Sequence, residues 1–169
     1  KVDLNQVLRD VAEIESFNEL ISPSDRKKEE MFLEELCLRF FAFKYLEGEF
    51  KTTVPQFLTE FMRAVSTGDL DFNLDQEKAY LGKIIEILNR KYGKAIFRPK
   101  GNFALHIYDS LAYAIPKVFP EVEGYEDQIF EKIESLIEDE QYNNVGTSTF
   151  SNLRIRKRMD RALEVFVSA

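Results

Sequence analysis

Apolar positions recur along this chain at helical spacing. Leu4, Val7, Leu8, Val11 and Ile14 repeat at intervals of three and four, and Phe17 and Ile21 carry the stripe on to Pro23, so one helix is predicted up to a Pro23-Ser24 stop. Ser24 is placed to cap a second helix from Arg26 to Glu47. There Phe32, Leu36, Phe40 and Phe43 line one side and Leu33, Cys37 and Phe41 an adjacent one, a width that marks a central helix, ended by Gly48. Val54, Phe57, Leu58, Phe61, Met62 and Val65 give a third helix, with Thr53 and Gln56 at capping-box spacing and Gly68 at its end. Asn73 and Gln76 repeat that spacing ahead of Leu74, Leu81, Ile84, Ile85, Leu88 and Tyr92, and Gly93 closes this fourth helix.

Beyond Gly93 the pattern is interrupted. Phe97-Arg98-Pro99 biases Arg98 to extended backbone, so Lys94 to Gly101 reads as a structured loop or short strand, followed by an Asn102 cap. A fifth helix carries Ala104, Tyr108, Leu111, Ala112 and Ile115 until Pro116 kinks or ends it. A sixth runs from Tyr125 to Glu140 with Ile129, Ile133, Leu136 and Ile137 inward and its acidic residues outward. A last helix, capped by Ser151 or Thr149, carries Ile155, Met159, Ala162, Leu163 and Phe166. The expectation is all-α: a single bundle-like domain over residues 1–169 with about seven helices.

Composition adds limits. Hydrophobic residues make up 44%, enough for a continuous core, and 15 Phe with 7 Tyr and no Trp make that core largely phenyl. A net charge of −7 argues against the whole surface being a nucleic-acid footprint but leaves room for a local basic stripe. The single cysteine, Cys37, excludes a disulfide framework and a thiolate zinc site and fits a reducing cytoplasm. No apolar run approaches the roughly 20 residues of a membrane span, so no membrane association is expected. The opening Lys1-Val2-Asp3-Leu4 lacks a methionine and is already in helical register, which predicts a piece of a larger protein.

Candidate chemistry is sparse. One histidine, His106, rules out mechanisms that need two imidazoles, and it reads as a hydrogen-bonded or partly exposed structural residue. No phosphate-binding loop, dinucleotide fingerprint or nucleophile elbow is present, and Glu30 with Glu34 lacks the Glu-x-x-His pairs of a di-metal bundle. No catalytic residue, metal or cofactor is therefore assigned. The basic residues stand out instead. Arg154, Arg158 and Arg161 recur at i, i+4 and i+7 beside Arg156 and Lys157, a pattern suited to phosphate or carboxylate. Arg98 sits in a loop, where function concentrates. Arg98, Arg154, Arg158 and Arg161 are the candidates for polyanion or interdomain contact. The competing expectation is that they pair with this chain's own carboxylates and carbonyls.

The run Arg26-Lys27-Lys28-Glu29-Glu30-Met31-Phe32-Leu33-Glu34-Glu35-Leu36-Cys37-Leu38-Arg39-Phe40-Phe41-Ala42-Phe43, followed by Phe57-Leu58-Thr59-Glu60-Phe61-Met62 and by Gly93-Lys94-Ala95-Ile96-Phe97-Arg98, resembles the helical C-terminal part of the domain of unknown function 262 family. Leu4-Asn5-Gln6-Val7-Leu8 is similar to the region leading into it. The resemblance spans most of residues 1 to 115 and implies a GmrSD-like protein of modification-dependent restriction and phage defence. Such a protein has a ParB-like nucleotide-handling part with a D-G-Q-Q-R-like motif, and frequently an H-N-H nuclease partner domain. Neither motif occurs in these 169 residues. What it implies for this chain is the non-catalytic helical portion, packed on the nucleotide-handling part and contacting DNA. A free-standing protein-interaction module is the alternative, and an exposed patch of Phe50, Phe72, Tyr125 and Tyr142 would mark it.

Overall fold

Side-chain caps start several helices where the sequence places them. In the computed structural model, which describes residues 3–48, 51–145 and 152–169, Thr53 Oγ1 accepts from the Gln56 amide at the start of α5 (Val54–Thr67). Asn73 Oδ1 accepts from the Gln76 amide at the start of α6 (Leu74–Lys91). Gly68 takes φ +82° at the end of α5, a left-handed turn that costs glycine little.

The described residues hold ten α-helices and one 3₁₀ turn, and no strand, so the chain is all-α with more helices than expected. Two predicted helices are each broken in two. The first becomes α1 (Leu4–Ala12) and α2 (Glu15–Ile21). Ile14 is extended between them, and the Asn18 side chain donates to the carbonyls of Ala12 (2.8 Å) and Ile14 (3.0 Å), holding the bend. The buried stripe continues through the break from Val11 to Phe17, so periodicity alone does not reveal it. The second becomes α3 (Asp25–Glu29), which Ser24 does cap through the Lys27 amide, and α4 (Phe32–Lys44). Met31 stands between them at φ +58°, a left-handed conformation unusual for methionine.

The other departures are local. Lys94 to Gly101 is neither loop alone nor strand: Gly93–Phe97 is a 3₁₀ turn. Asn102 does not cap the next helix, α7 (Leu105–Val118), which begins behind Ala104 without a side-chain cap. Pro116 does not end α7 but is carried inside it. The predicted sixth helix, Tyr125 to Glu140, forms as α8 (Glu126–Ile137) and stops short; a separate turn not predicted, α9 (Glu140–Asn143), is started by Asp139, whose carboxylate accepts from the Tyr142 amide. The last is α10 (Asn152–Val167); its predicted caps Thr149 and Ser151 lie outside the described residues.

Two helices form the centre. Every residue of α7 from Ile107 to Pro116 is buried, as is every residue of α4 from Leu36 to Phe43, and α7 lies between α4 and α10. α1 packs on α4, α2 on α6, and α8 and α9 on α10, so that every helix but α3 contributes buried side chains to one core. That core is phenyl-rich: Phe41, Phe61 and Phe72 meet edge to face at 5.2 and 5.7 Å. Polar side chains tie helix ends across it. Lys117, whose pKa burial lowers to about 8, donates to the carbonyls of Phe43 (3.2 Å) and Lys44 (3.4 Å) at the end of α4. Buried Glu77 accepts from Lys44 and Tyr45, both at 2.5 Å. No helix among the described residues is long and apolar enough to cross a membrane.

Candidate functional site

The most polar part of the interior lies where α4, α7 and α10 meet. α4 contributes Arg39, which stands alone in the apolar run Leu38-Arg39-Phe40 and is 6% exposed. Its guanidinium meets Asp109 of α7 fork to fork, Nε donating to Oδ1 at 2.9 Å and Nη2 to Oδ2 at 2.6 Å. Burial raises the Asp109 carboxyl, against the pull of Arg39. Burial also presses on Arg39, but the Asp109 hydrogen bonds outweigh it and hold the guanidinium charged. Glu35 accepts from Arg39 Nη1 at 3.3 Å on the solvent side.

One turn along α7, His106 and Ser110 face α9 and α10. Tyr142 donates to Ser110 Oγ at 2.8 Å and to the His106 carbonyl at 3.2 Å, and Ser110 Oγ donates to that same carbonyl at 2.7 Å. The Ser110 hydroxyl is thus engaged by groups that cannot take its proton, and the Asp109 carboxylate is engaged by Arg39. The constellation contains no activated nucleophile and no base positioned on one. The His106 pKa falls to about 4, chiefly through burial, then through the positive charges of Arg158 and Lys100. The imidazole is a neutral group in a cationic setting. Arg39, His106, Asp109, Ser110 and Arg158 line a cavity of about 20 Å³, room for one water molecule and not for a substrate. No group of three His, Cys, Asp or Glu among the described residues could hold a metal ion.

The four predicted arginines are separated by the fold. Arg98 turns inward: Nη2 donates to the carbonyls of Ile21 and Ser22, both at 3.0 Å, which closes the C-terminus of α2, and the guanidinium lies 6.0 Å from the Phe103 ring. Arg161 binds Asp139 through two hydrogen bonds of 3.0 and 2.7 Å and Glu164 through a third of 2.9 Å. It thereby fastens α10 to the start of α9 and holds the Asp139 carboxyl below the usual carboxylate range. For these two the intramolecular expectation describes the structure. Arg158 is 6% exposed and borders the cavity beside His106. Arg154 is half-buried one turn before it and makes no hydrogen bond or ion pair among the described residues.

Sequence reasoning missed the Arg39–Asp109 pair, although its signal was present: one lone charge of each sign, each inside an apolar run. The aromatic patch does not form. Phe72 and Tyr142 are buried, Tyr125 is 44% exposed, and Phe50 lies outside the described residues. Compared with family models, characterised proteins and solved structures, the chain matches none.

Proposed function

We propose that this chain is the non-catalytic helical portion of a GmrSD-like restriction or phage-defence protein, which packs on a nucleotide-handling nuclease part and contacts DNA. The observation that carries this reading is the run from Arg26 to Phe43 with its companions at Phe57–Met62 and Gly93–Arg98. These segments lie on α3, α4, α5 and the 3₁₀ turn; those on α4, α5 and the 3₁₀ turn contribute buried side chains to the core, while α3 is exposed. Two further facts support a binding role over a catalytic one. The polar cluster where α4, α7 and α10 meet closes on a cavity too small for a substrate, and Arg154 stays available on α10.

The test is the coding sequence that adjoins this one. An upstream D-G-Q-Q-R-like motif in a strand-rich segment is the expected result, and its absence from a complete reading frame would overturn the assignment. The protein-interaction reading has no exposed aromatic patch to rest on among the described residues.

A further inference from the structure

The cavity where α4, α7 and α10 meet is lined by more positive than negative charge. Two guanidinium groups border it, those of Arg39 and Arg158, and one carboxylate, that of Asp109. All three side chains are buried, so water screens the imbalance little. Both Asp109 oxygens are turned to the Arg39 fork, and Glu35, the other carboxylate on Arg39, is exposed and stands outside the lining. The imidazole of His106 sits in the same field: burial lowers its pKa first, and the positive charges of Arg158 and Lys100 lower it further. From α9, Tyr142 is turned to Ser110 and not to a charged group.

Hydrogen-bond donors are in place for an anion. A guanidinium carries five N–H groups. Arg39 uses three of them, two on Asp109 and one on Glu35, so two remain. The neutral imidazole has one N–H, and the His106 ring makes no hydrogen bond among the described residues. Ser110 contributes no donor, because its hydroxyl proton goes to the His106 carbonyl at 2.7 Å. The rest of the wall is apolar, from Leu105, Ile155 and Met159. Leu105, His106 and Ile155 are half-buried while the other lining residues are buried, which puts the mouth of the cavity at these three.

We propose that this cavity binds one chloride ion between Arg39, His106 and Arg158, so that the anion joins α4, α7 and α10. The volume of about 20 Å³ selects a monatomic ion, little larger than a water molecule, over phosphate, sulfate or a carboxylate. The sign of the lining charge excludes a metal cation. Taking an ion out of water is offset only where opposite charge and donors both meet it, and two guanidinium groups and an imidazole N–H do so here. A halide, large and polarizable, also tolerates the apolar part of the wall. The site is independent of the proposed function and involves no nucleic acid.

The experiment is thermal unfolding of the 169-residue chain at neutral pH in sodium chloride and in sodium gluconate of equal ionic strength. Gluconate matches the screening but is too large to enter. Chloride is expected to raise the midpoint saturably, by about 3–6 °C once it stands about tenfold above its Kd. His106 is the single histidine of the chain and reports on the site by NMR. Its imidazole is expected to titrate at higher pH in chloride than in gluconate, because an anion beside the ring favours the charged form. Ile155→Phe fills the mouth without changing a charge, and Arg158→Gln removes one of the two cations; each is expected to abolish both effects. Their own cooperative melting in gluconate shows that they fold, and the two salts compared on the unaltered chain are decisive without them. Equal midpoints and equal titration curves in the two salts overturn the proposal and leave the cavity to a water molecule. A chloride effect that persists in folded Ile155→Phe also overturns it, because the ion would then act elsewhere.

Discussion

Arg39 and Asp109 show how one residue pair can be conspicuous in sequence and still elude assignment. Each charge lies in an apolar run, but nothing along the chain says that positions 70 residues apart will meet at 2.6 Å. Removing Asp109 leaves the buried Arg39 charge with only the half-exposed Glu35 as a partner, at 3.3 Å. Asp109→Ala is expected to cost about 3–5 kcal/mol in urea unfolding, whereas Arg39→Met/Asp109→Leu should recover most of that loss. Equal costs for the single and double variants would show that the pair does not act as a unit.

His106 gives a pH-dependent prediction. Its folded pKa of about 4 lies below the ordinary histidine value of 6.5, so the unfolded chain takes up the proton first and stability falls as pH drops from 6.5 towards 4. His106→Gln should flatten the decline of the urea midpoint in that window. Asp139 and Asp10, both lowered, act below it, where their contribution is lost as pH falls through their folded values. An unchanged decline in the variant would contradict the neutral, cation-flanked imidazole.

Among the helices, capping residues were legible where the side chain had a short, local route to a backbone amide. Asn73 has such a route and Asn102 does not, since α7 starts behind Ala104, two residues later. Asn73→Ala should therefore cost about 1 kcal/mol and Asn102→Ala stay within about 0.5 kcal/mol, both by urea unfolding. The breaks were illegible for a different reason. Asn18 holds the α1–α2 bend by bonding carbonyls to its N-terminal side, and Met31 takes a conformation that composition would assign to glycine. Both leave the apolar periodicity intact. Met31 is 55% exposed, so Met31→Gly gives up little packing and relieves a left-handed side chain; a stabilisation of up to about 1 kcal/mol is expected from thermal or urea unfolding.

At the scale of the molecule, the all-α class followed from the three-and-four spacing alone, and the arginine-rich last helix was visible as a sequence pattern. What each arginine does was not visible, because it depends on what lies across the gap. Arg161 finds Asp139 and Glu164, Arg98 finds the carbonyls of Ile21 and Ser22, and Arg154 finds no such partner among the described residues. Helical periodicity reports the side of a helix a residue occupies, not the neighbour it meets there.

The division of labour among these arginines is the centre of the account, and it is tested by measuring urea midpoint and duplex-DNA affinity together for three variants. Arg98→Ala and Arg161→Ala are expected to lower the midpoint and leave the affinity of the folded chain unchanged, while Arg154→Ala is expected to weaken DNA binding with the midpoint held. An Arg98→Ala or Arg161→Ala variant that keeps its stability but loses DNA affinity would contradict the account.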